Sequence, residues 1–321
     1  MDSVRQTVGV LGWYWPGVDN LGERCYQMVL TDYAKKIGVN VVFSNDPSKI
    51  DPGSPLLICG GELIADYWGD VFRDAFYQTE SIVGISLSGQ SAWVLSMLRA
   101  ARKIWVRDYL TLKAAQEAGC NAAYAPDISC LCKGDPDMGL QLVQEWFREE
   151  QLEPPSQYLL LFPLGYWAMK DEPLNHCALS LYADIVRQSE MPCVLAAAST
   201  RNPDDRAACY LIREWSGQWK KTIVARPGSL IDIIAGAAGV ISSRLHGALV
   251  AAAHEKPFVA WSDHGKVVGA IEALGYPFQR LPCSTTPKEI LTALSRCSPQ
   301  PSEPMRQQAQ QSLMEAFTML I

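Results

Sequence analysis

Short apolar runs that break off at glycine or serine, each leading into a stretch of helical periodicity, recur along the whole chain. Residues 7–13, 39–43, 55–59 (ending in Gly60 and Gly61), 83–87 (ending in Ser88 and Gly89) and 103–106 read as strands. Residues 23–36, 92–102 and 110–118 read as helices, the last stopped by Gly119. Strand, tight turn and helix in alternation are the signature of a parallel sheet. The second half repeats the theme, with strands at 158–163, 193–198, 222–225, 240–242 and 257–261 and helices at 174–189, 206–216, 230–237 and 245–254. The run Thr286-Pro287-Lys288-Glu289 opens a further helix, with Thr as cap, Pro at the first position and Glu at the third. A Gln-rich amphipathic helix at 305–320 follows an SPQPSEP linker and is expected to pack back on the first domain.

The turn at 133–137 and the Glu153-Pro154-Pro155-Ser156 break put a domain boundary between residues 133 and 157. The expected division is a first domain at 1–150, a second at 155–285, and C-terminal helices at 286–321 that pack back on them. Two parallel-sheet halves of similar size imply an α/β protein of two Rossmann-like domains facing a central cleft. In such sheets ligands lie beyond the carboxyl ends of the strands, so residues just after each strand are the candidates for chemistry.

With 321 residues, 48% of them hydrophobic, the chain can build two real cores. Its net charge of -6 argues against nucleic acid as a partner, which usually requires a basic footprint, but not against one small anion in a local pocket. The start has no secretory pattern, and no run approaches the about 18 continuous apolar residues of a membrane span, so a cytoplasmic location is expected. Ten cysteines show no metal-site spacing, Cys130 and Cys132 forming a lone CxC with no second pair. There is no GxGxxG, no P-loop, no GxSxG elbow and no HExxH.

The strongest local case is Ser242-Ser243-Arg244-Leu245-His246, where a strand ends and a helix of small residues begins. A helix N-terminus offers unpaired N–H groups and positive dipole charge, Arg adds a planar cationic fork, and His a titratable group. The same residues are also compatible with a structural arginine and a satisfied core histidine. Gly247 and Ala248 would let a ligand approach closely, and His254, farther along, reads as structural. Asp263, His264 and Lys266 follow the next strand, where Lys266 could add a second positive charge. Arg107 and Asp108 follow a strand in the first half and read as an internal salt bridge or a cleft-facing pair, with helix capping a sufficient role for Asp108. Gly60, Gly61 and Glu62 form a turn suited to close approach, with Glu62 as acid or base. Asp19, Asn20 and Glu23 belong to an N-terminal loop that could meet a polyol. Arg201 and Arg226 follow short strands and point either into the cleft or to the surface. Trp13, Tyr14 and Trp15 are flat faces suited to a sugar ring, or equally to core packing.

Taken in order, these segments resemble the polysaccharide pyruvyl transferase family, most nearly its bacterial cell-envelope branch acting on secondary cell-wall polymers. The stretches are GVDNLGE (17–23), LLICGGEL (56–63), WVRDYLTLKAAQEAG (105–119), YAPDI (124–128), ISSRLHGA (241–248) and PFVAWSDHGKVVGAIEALG (257–275). The RLH segment is the most specific. Glu62 stands where many members have a third glycine, and Glu23 where they have Asp.

The resemblance implies a GT-B-like fold and transfer of a pyruvyl group from phosphoenolpyruvate to a hydroxyl pair of a cell-envelope saccharide, forming a cyclic ketal and releasing phosphate. Arg244 and His246 carry over to the donor site, with no metal and no cofactor beyond the donor substrate. The implied acceptor is a lipid-linked or polymeric saccharide, one containing N-acetylmannosamine for this branch, which leaves open a contact with the inner membrane face; a homo-oligomer is also left open. Replacing Arg244 with Ala is expected to abolish transfer and leave the fold intact. A GT-B glycosyltransferase using a nucleotide sugar and a non-catalytic glycan-binding protein are the alternatives.

Overall fold

The computed structural model describes residues 6–14, 19–165, 173–201, 204–226 and 228–321, with backbone only at 173–177. Contacts divide the chain into two units, one of Met1–Gly17, Gly22–Leu131 and Glu303–Ile321, the other of Val18–Leu21 and Cys132–Ser302.

The first unit is a parallel sheet of β1 (Thr7–Leu11), β2 (Asn40–Ser44), β3 (Leu56–Cys59), β4 (Ile82–Leu87), β5 (Lys103–Val106) and β6 (Ala122–Tyr124), in the order β2-β1-β3-β4-β5-β6. Helices α1 (Leu21–Ile37), α2 (Gly69–Gln78), α3 (Ala92–Leu98) and α4 (Tyr109–Glu117) connect them. All six residues of β4 are buried, as a strand covered on both faces requires, whereas edge strand β2 alternates toward solvent. Leu11, Ile58, Phe72, Ile82, Leu98 and Ile104 belong to its core.

The second unit opens with α5 (Pro136–Glu149), capped by Asp135 through the N–H groups of Asp137 and Met138. Its sheet is β7 (Leu159–Phe162), β8 (Cys193–Leu195), β9 (Thr222–Val224), β10 (Gly239–Ser242), β11 (Phe258–Trp261) and β12 (Arg280–Leu281), parallel throughout and ordered β12-β11-β10-β7-β8-β9. Helices α6 (Pro173–Gln188), α7 (Asp205–Ser216), α8 (Leu230–Gly236), α9 (Leu245–Ala253), α10 (Gly265–Ala273) and α11 (Pro287–Arg296) complete it. Tyr182, Ile185, Ile212, Ile241, Val259 and Trp261 lie in its core. The last helix, α12 (Glu303–Leu320), belongs to the first unit, where Lys103 pairs with Glu315 at 3.0 Å and Tyr33 packs on Phe317.

The capping box of α11 forms as its residues dictate. Thr286 Oγ1 accepts from Glu289 N and the Glu289 carboxylate accepts from Thr286 N at 2.9 Å. Thr286→Ala is expected to cost about 1 kcal/mol and to lower the melting temperature by ~2–4 °C; an unchanged thermal melt would show the box to be idle. Several elements escaped the sequence pattern, among them α2, β6, α10 and β12. Helix α2 starts at a glycine without a side-chain cap, and β6 and β12 are only three and two residues long. Pairing to β5 and to β11 makes them strands, and Ala-Ala-Tyr alone has little preference for that state. No helix among the described residues is long and apolar enough to cross a membrane.

Candidate functional site

In the second sheet β7 lies between β8 and β10, so the chain leaves β7 toward one edge and later returns to its other side. Such a reversal opens a crevice at the carboxyl ends of the two central strands. There a cavity of about 300 Å³ is lined by Leu164 after β7, Ser243 and Arg244 after β10, and Ser262, His264 and Lys266 after β11. Two helices start at it. Arg244 is the N-cap of α9 and His264 the N-cap of α10, both with extended backbone and neither making a side-chain capping bond. Two helix N-termini without side-chain caps, an arginine and a lysine make this wall positive in a chain that is negative overall.

The serines hold the turn. Ser242 Oγ donates to the Arg244 carbonyl (2.6 Å) and accepts from the Arg244 N–H (3.1 Å). Ser243 Oγ donates to the Trp261 carbonyl at 2.7 Å and meets the Tyr182 hydroxyl at 2.9 Å, tying β10 to β11. Burial pushes the Tyr182 phenol far above its ordinary pKa, so it stays protonated. At Gly247 a Cβ would lie 2.4 Å from Ser242 Oγ and 2.8 Å from the Phe162 ring. What approaches Gly247 is therefore the sheet beneath the helix and not a ligand.

Arg244 does not stand alone. Its Nε donates to Asp205 Oδ2 at 2.9 Å and its Nη2 donates to Asp205 Oδ1. Asp205 is fully buried at the start of α7 and also accepts from Gly165 N (2.5 Å) and Ser199 N (3.0 Å). Burial raises its carboxyl above the usual range against the opposing pull of Arg244 and the two N–H groups. Sequence reasoning missed Asp205. Its neighbour Asp204 is the visible N-cap, accepting from Arg206 N at 2.8 Å, and an Asp-Asp pair at a helix start reads as capping.

The remaining candidates lie elsewhere. His246 is half-buried at the second position of α9 and is not among the residues of that cavity wall. Asp19 and Asn20 join the second unit: Asn20 bridges Ser199, Asp19 N donates to Thr200 Oγ1 (2.9 Å) and Thr200 N to the Asp19 carbonyl (2.8 Å). This places them beside the loop that carries Asp205. Arg201 is half-buried there, its N–H donating to Ser199 Oγ at 3.2 Å. Arg226 is largely exposed and pairs with Glu149. His254 accepts from Gly134 N at 2.8 Å through Nε2, which leaves Nδ1 as donor to the Val250 carbonyl at 2.8 Å, a structural role.

In the first unit Arg107 is 2% exposed, its guanidinium donating to Asp127 (2.8 Å), Tyr26 (3.1 Å) and Ser88 (2.9 Å). Its ion-pair partner is thus Asp127; Asp108 caps α4 through Thr111 N at 2.7 Å. Gly60 and Gly61 have φ of +90° and +71°, and a Cβ on Gly60 would fall 2.3 Å from the Tyr26 ring. Glu62 is half-buried, its carbonyl accepting from the Tyr67 hydroxyl at 3.1 Å, and Glu23 is half-buried in the first turn of α1. Trp13 packs edge-on against Trp68 and Tyr14 is buried against Phe43; Trp15 and Gly17 lie outside the described residues.

Two parallel sheets, each flanked by helices, with a cation-lined cavity at the strand reversal of the second, define an α/β protein of two Rossmann-like units. Residues 25–264 match the family described as polysaccharide pyruvyl transferase, and the chain belongs to that family. The match begins after Glu23 and ends at His264, so it spans the Arg244 turn but not Lys266. No curated protein matches this sequence. Similar solved folds include a putative UDP-N-acetylglucosamine 2-epimerase from Listeria monocytogenes, at 12% identity, 98% of this chain, 97% of that chain and TM-score 0.58. The UDP-GlcNAc 2-epimerase of Neisseria meningitidis bound to UDP-GlcNAc follows at 9% identity, 98% and 99% coverage and TM-score 0.56. Anabaena HepE in complex with UDP and glucose shares 11% identity over 98% of this chain and 100% of that chain, with TM-score 0.54. At such identities the likeness is one of fold alone.

Proposed function

We propose that this chain transfers a pyruvyl group from phosphoenolpyruvate to two hydroxyls of one saccharide, and that the cavity at Arg244 holds the donor. The observation that carries this reading is the pair of helix N-termini meeting Arg244 and Lys266 on one cavity wall. Phosphoenolpyruvate presents a carboxylate and a phosphate, and such a wall can hold both. Of the Arg244 guanidinium, the Nε and Nη2 edge faces Asp205 and the Nη1 group is left for a ligand.

In the reaction the methylene carbon of the donor takes a proton, which makes the central carbon oxocarbenium-like. One acceptor hydroxyl attacks it and a second displaces phosphate. Of the two hydroxyl protons released, one replaces the proton used at the methylene carbon and the other leaves with phosphate. The product is a cyclic ketal. His246 keeps the proton-transfer or phosphate-stabilising role that family membership suggests, and His264 is the imidazole on the wall itself. The strand ends of the first unit, with Gly60, Gly61 and Glu62, are the proposed acceptor side.

A saccharide of the cell envelope, lipid-linked and containing N-acetylmannosamine, is the first acceptor to test. The likeness to HepE, crystallised with UDP and glucose, supports a nucleotide-sugar transferase as the second reading. A thermal-shift comparison separates the two: phosphoenolpyruvate should raise the melting temperature and UDP-sugars should not. Mass spectrometry of a panel of lipid-linked saccharides incubated with phosphoenolpyruvate should show one added pyruvyl group and released phosphate. Stabilisation by a UDP-sugar alone, with no pyruvylated product, would overturn the proposal.

A further inference from the structure

We infer that Asp205 is a positioning residue for the anion cavity: its carboxylate fixes one edge of the Arg244 guanidinium so that the other edge is presented to the ligand. This rests on the donor-site reading above. The geometry is that of a fork, with Nε on Oδ2 at 2.9 Å and Nη2 on Oδ1. A guanidinium held by two parallel bonds cannot rotate about its terminal C–N axis without losing one of them. Arg244 is about a quarter exposed and Asp205 is fully buried, so the fixed end of the pair lies inside and the open end faces the cavity.

The carboxylate is fixed in turn. Gly165 N, after β7, donates to Oδ1 at 2.5 Å, and Ser199 N, after β8, donates to Oδ2 at 3.0 Å. A side chain at Gly165 would clash with the Asp204 and Asp205 backbone at about 2.5 Å, so the β7 loop reaches the carboxylate only because that residue is glycine. Asp205 N donates back to the Ser199 carbonyl at 3.0 Å, and Ser199 bridges Asn20. One buried carboxylate therefore gathers the loops after β7, β8 and β10 onto the arginine, and the 19–21 segment pairs with the second of these loops. The gain is preorganisation: the ordering of a long side chain is completed before the anion arrives.

The test is a double-mutant cycle on phosphoenolpyruvate affinity, measured by calorimetry, with Asp205→Asn, Arg244→Met and both together. Asp205→Asn keeps the volume and one acceptor but cannot form the charged fork. It should weaken binding about 10-fold in the wild-type background, the loss of roughly one charge-assisted bond, and less than about 2-fold in the Arg244→Met background. Equal losses in both backgrounds would assign Asp205 to structure alone, and no loss in either would remove it from the site; both overturn the inference. Inorganic phosphate, titrated in parallel, separates this inference from the donor reading. The same pattern with phosphate but no binding of phosphoenolpyruvate keeps the positioning role and sinks the donor, and binding of neither anion overturns both. Should Asp205→Asn not fold, the wild-type protein answers by NMR. The Arg244 Nε–H should be protected from exchange before any anion is added, and a freely exchanging signal would overturn the inference.

Discussion

Replacing Arg244 with Ala is expected to abolish pyruvyl transfer and to weaken phosphoenolpyruvate binding by roughly 10- to 100-fold. The affinity figure is the ~1.5–3 kcal/mol of hydrogen bonds to a charged group, at 1.4 kcal/mol per tenfold. The structure also changes what the substitution does to the fold. From the sequence alone, Arg244 at a turn could be removed at no structural cost. In the fold its loss leaves the Asp205 carboxyl buried with only the Gly165 and Ser199 N–H groups. Breaking a buried pair from one side costs ~3–5 kcal/mol, and because Arg244 is partly exposed the lower end applies.

The burial-raised carboxyl sets the pH dependence. A folded pKa above the unfolded one means a group most compatible with the fold when protonated. In Arg244→Ala the pull that opposed the rise is gone, so stability is best below the ordinary Asp range and falls as pH passes the raised value. Thermal melts at acidic and neutral pH should show the gap to wild type widening toward neutrality. Arg244→Lys, which keeps the charge without the fork, should fold better than Arg244→Ala while still binding the donor weakly. Unchanged affinity in a folded Arg244→Ala protein would remove Arg244 from the donor site.

Asp127→Ala is expected to have the largest effect on stability in the first unit, about 3–5 kcal/mol, against a typical total of ~5–15 kcal/mol. Arg107 and Asp127 are 2% and 3% exposed, and Asp127 also accepts from the Tyr26 hydroxyl at 2.8 Å. Removing the carboxylate leaves a buried guanidinium facing Tyr26 and Ser88 alone, with its Nε already lacking a partner. Denaturant unfolding should show the loss, and hydrogen exchange should locate it in β4, β5 and β6. Replacing both residues together by apolar side chains of similar volume should cost much less, since no charge is stranded. A wild-type melting curve for Asp127→Ala would mean that the pair contributes nothing.

These cases also mark how far the sequence could be read. Strands such as Leu159–Phe162 and Phe258–Trp261 were legible because a strand covered on both faces needs an unbroken apolar run. The Arg244 and Lys266 positions were legible as strand-end residues, because in parallel sheets that edge is where loops and helix N-termini collect. Arg107 follows a strand by the same pattern, yet it is inside. Nothing local separates an arginine that reaches a cavity wall from one buried against a carboxylate twenty positions along the chain.

Local rules, then, were sufficient for whatever depends on a few consecutive residues: the strand–turn–helix alternation, the Thr286 capping box, and the positive turns after β10 and β11. Only the tertiary structure decided which aspartate of the Asp204-Asp205 pair is buried under Arg244, that residues 19–21 join the second unit, and that His264, not His246, stands on the cavity wall. For residues 19–21 the physical reason is pairing with residues 198–200, far along the chain, which no local pattern encodes; for the aspartates and for His246 it is the turn of the helix. Neighbouring helical residues point about 100° apart, so which of two adjacent side chains meets a partner depends on how the helix is rotated against its sheet. That rotation is set by distant contacts, such as Gly247 against Phe162, and not by the residues whose roles it determines.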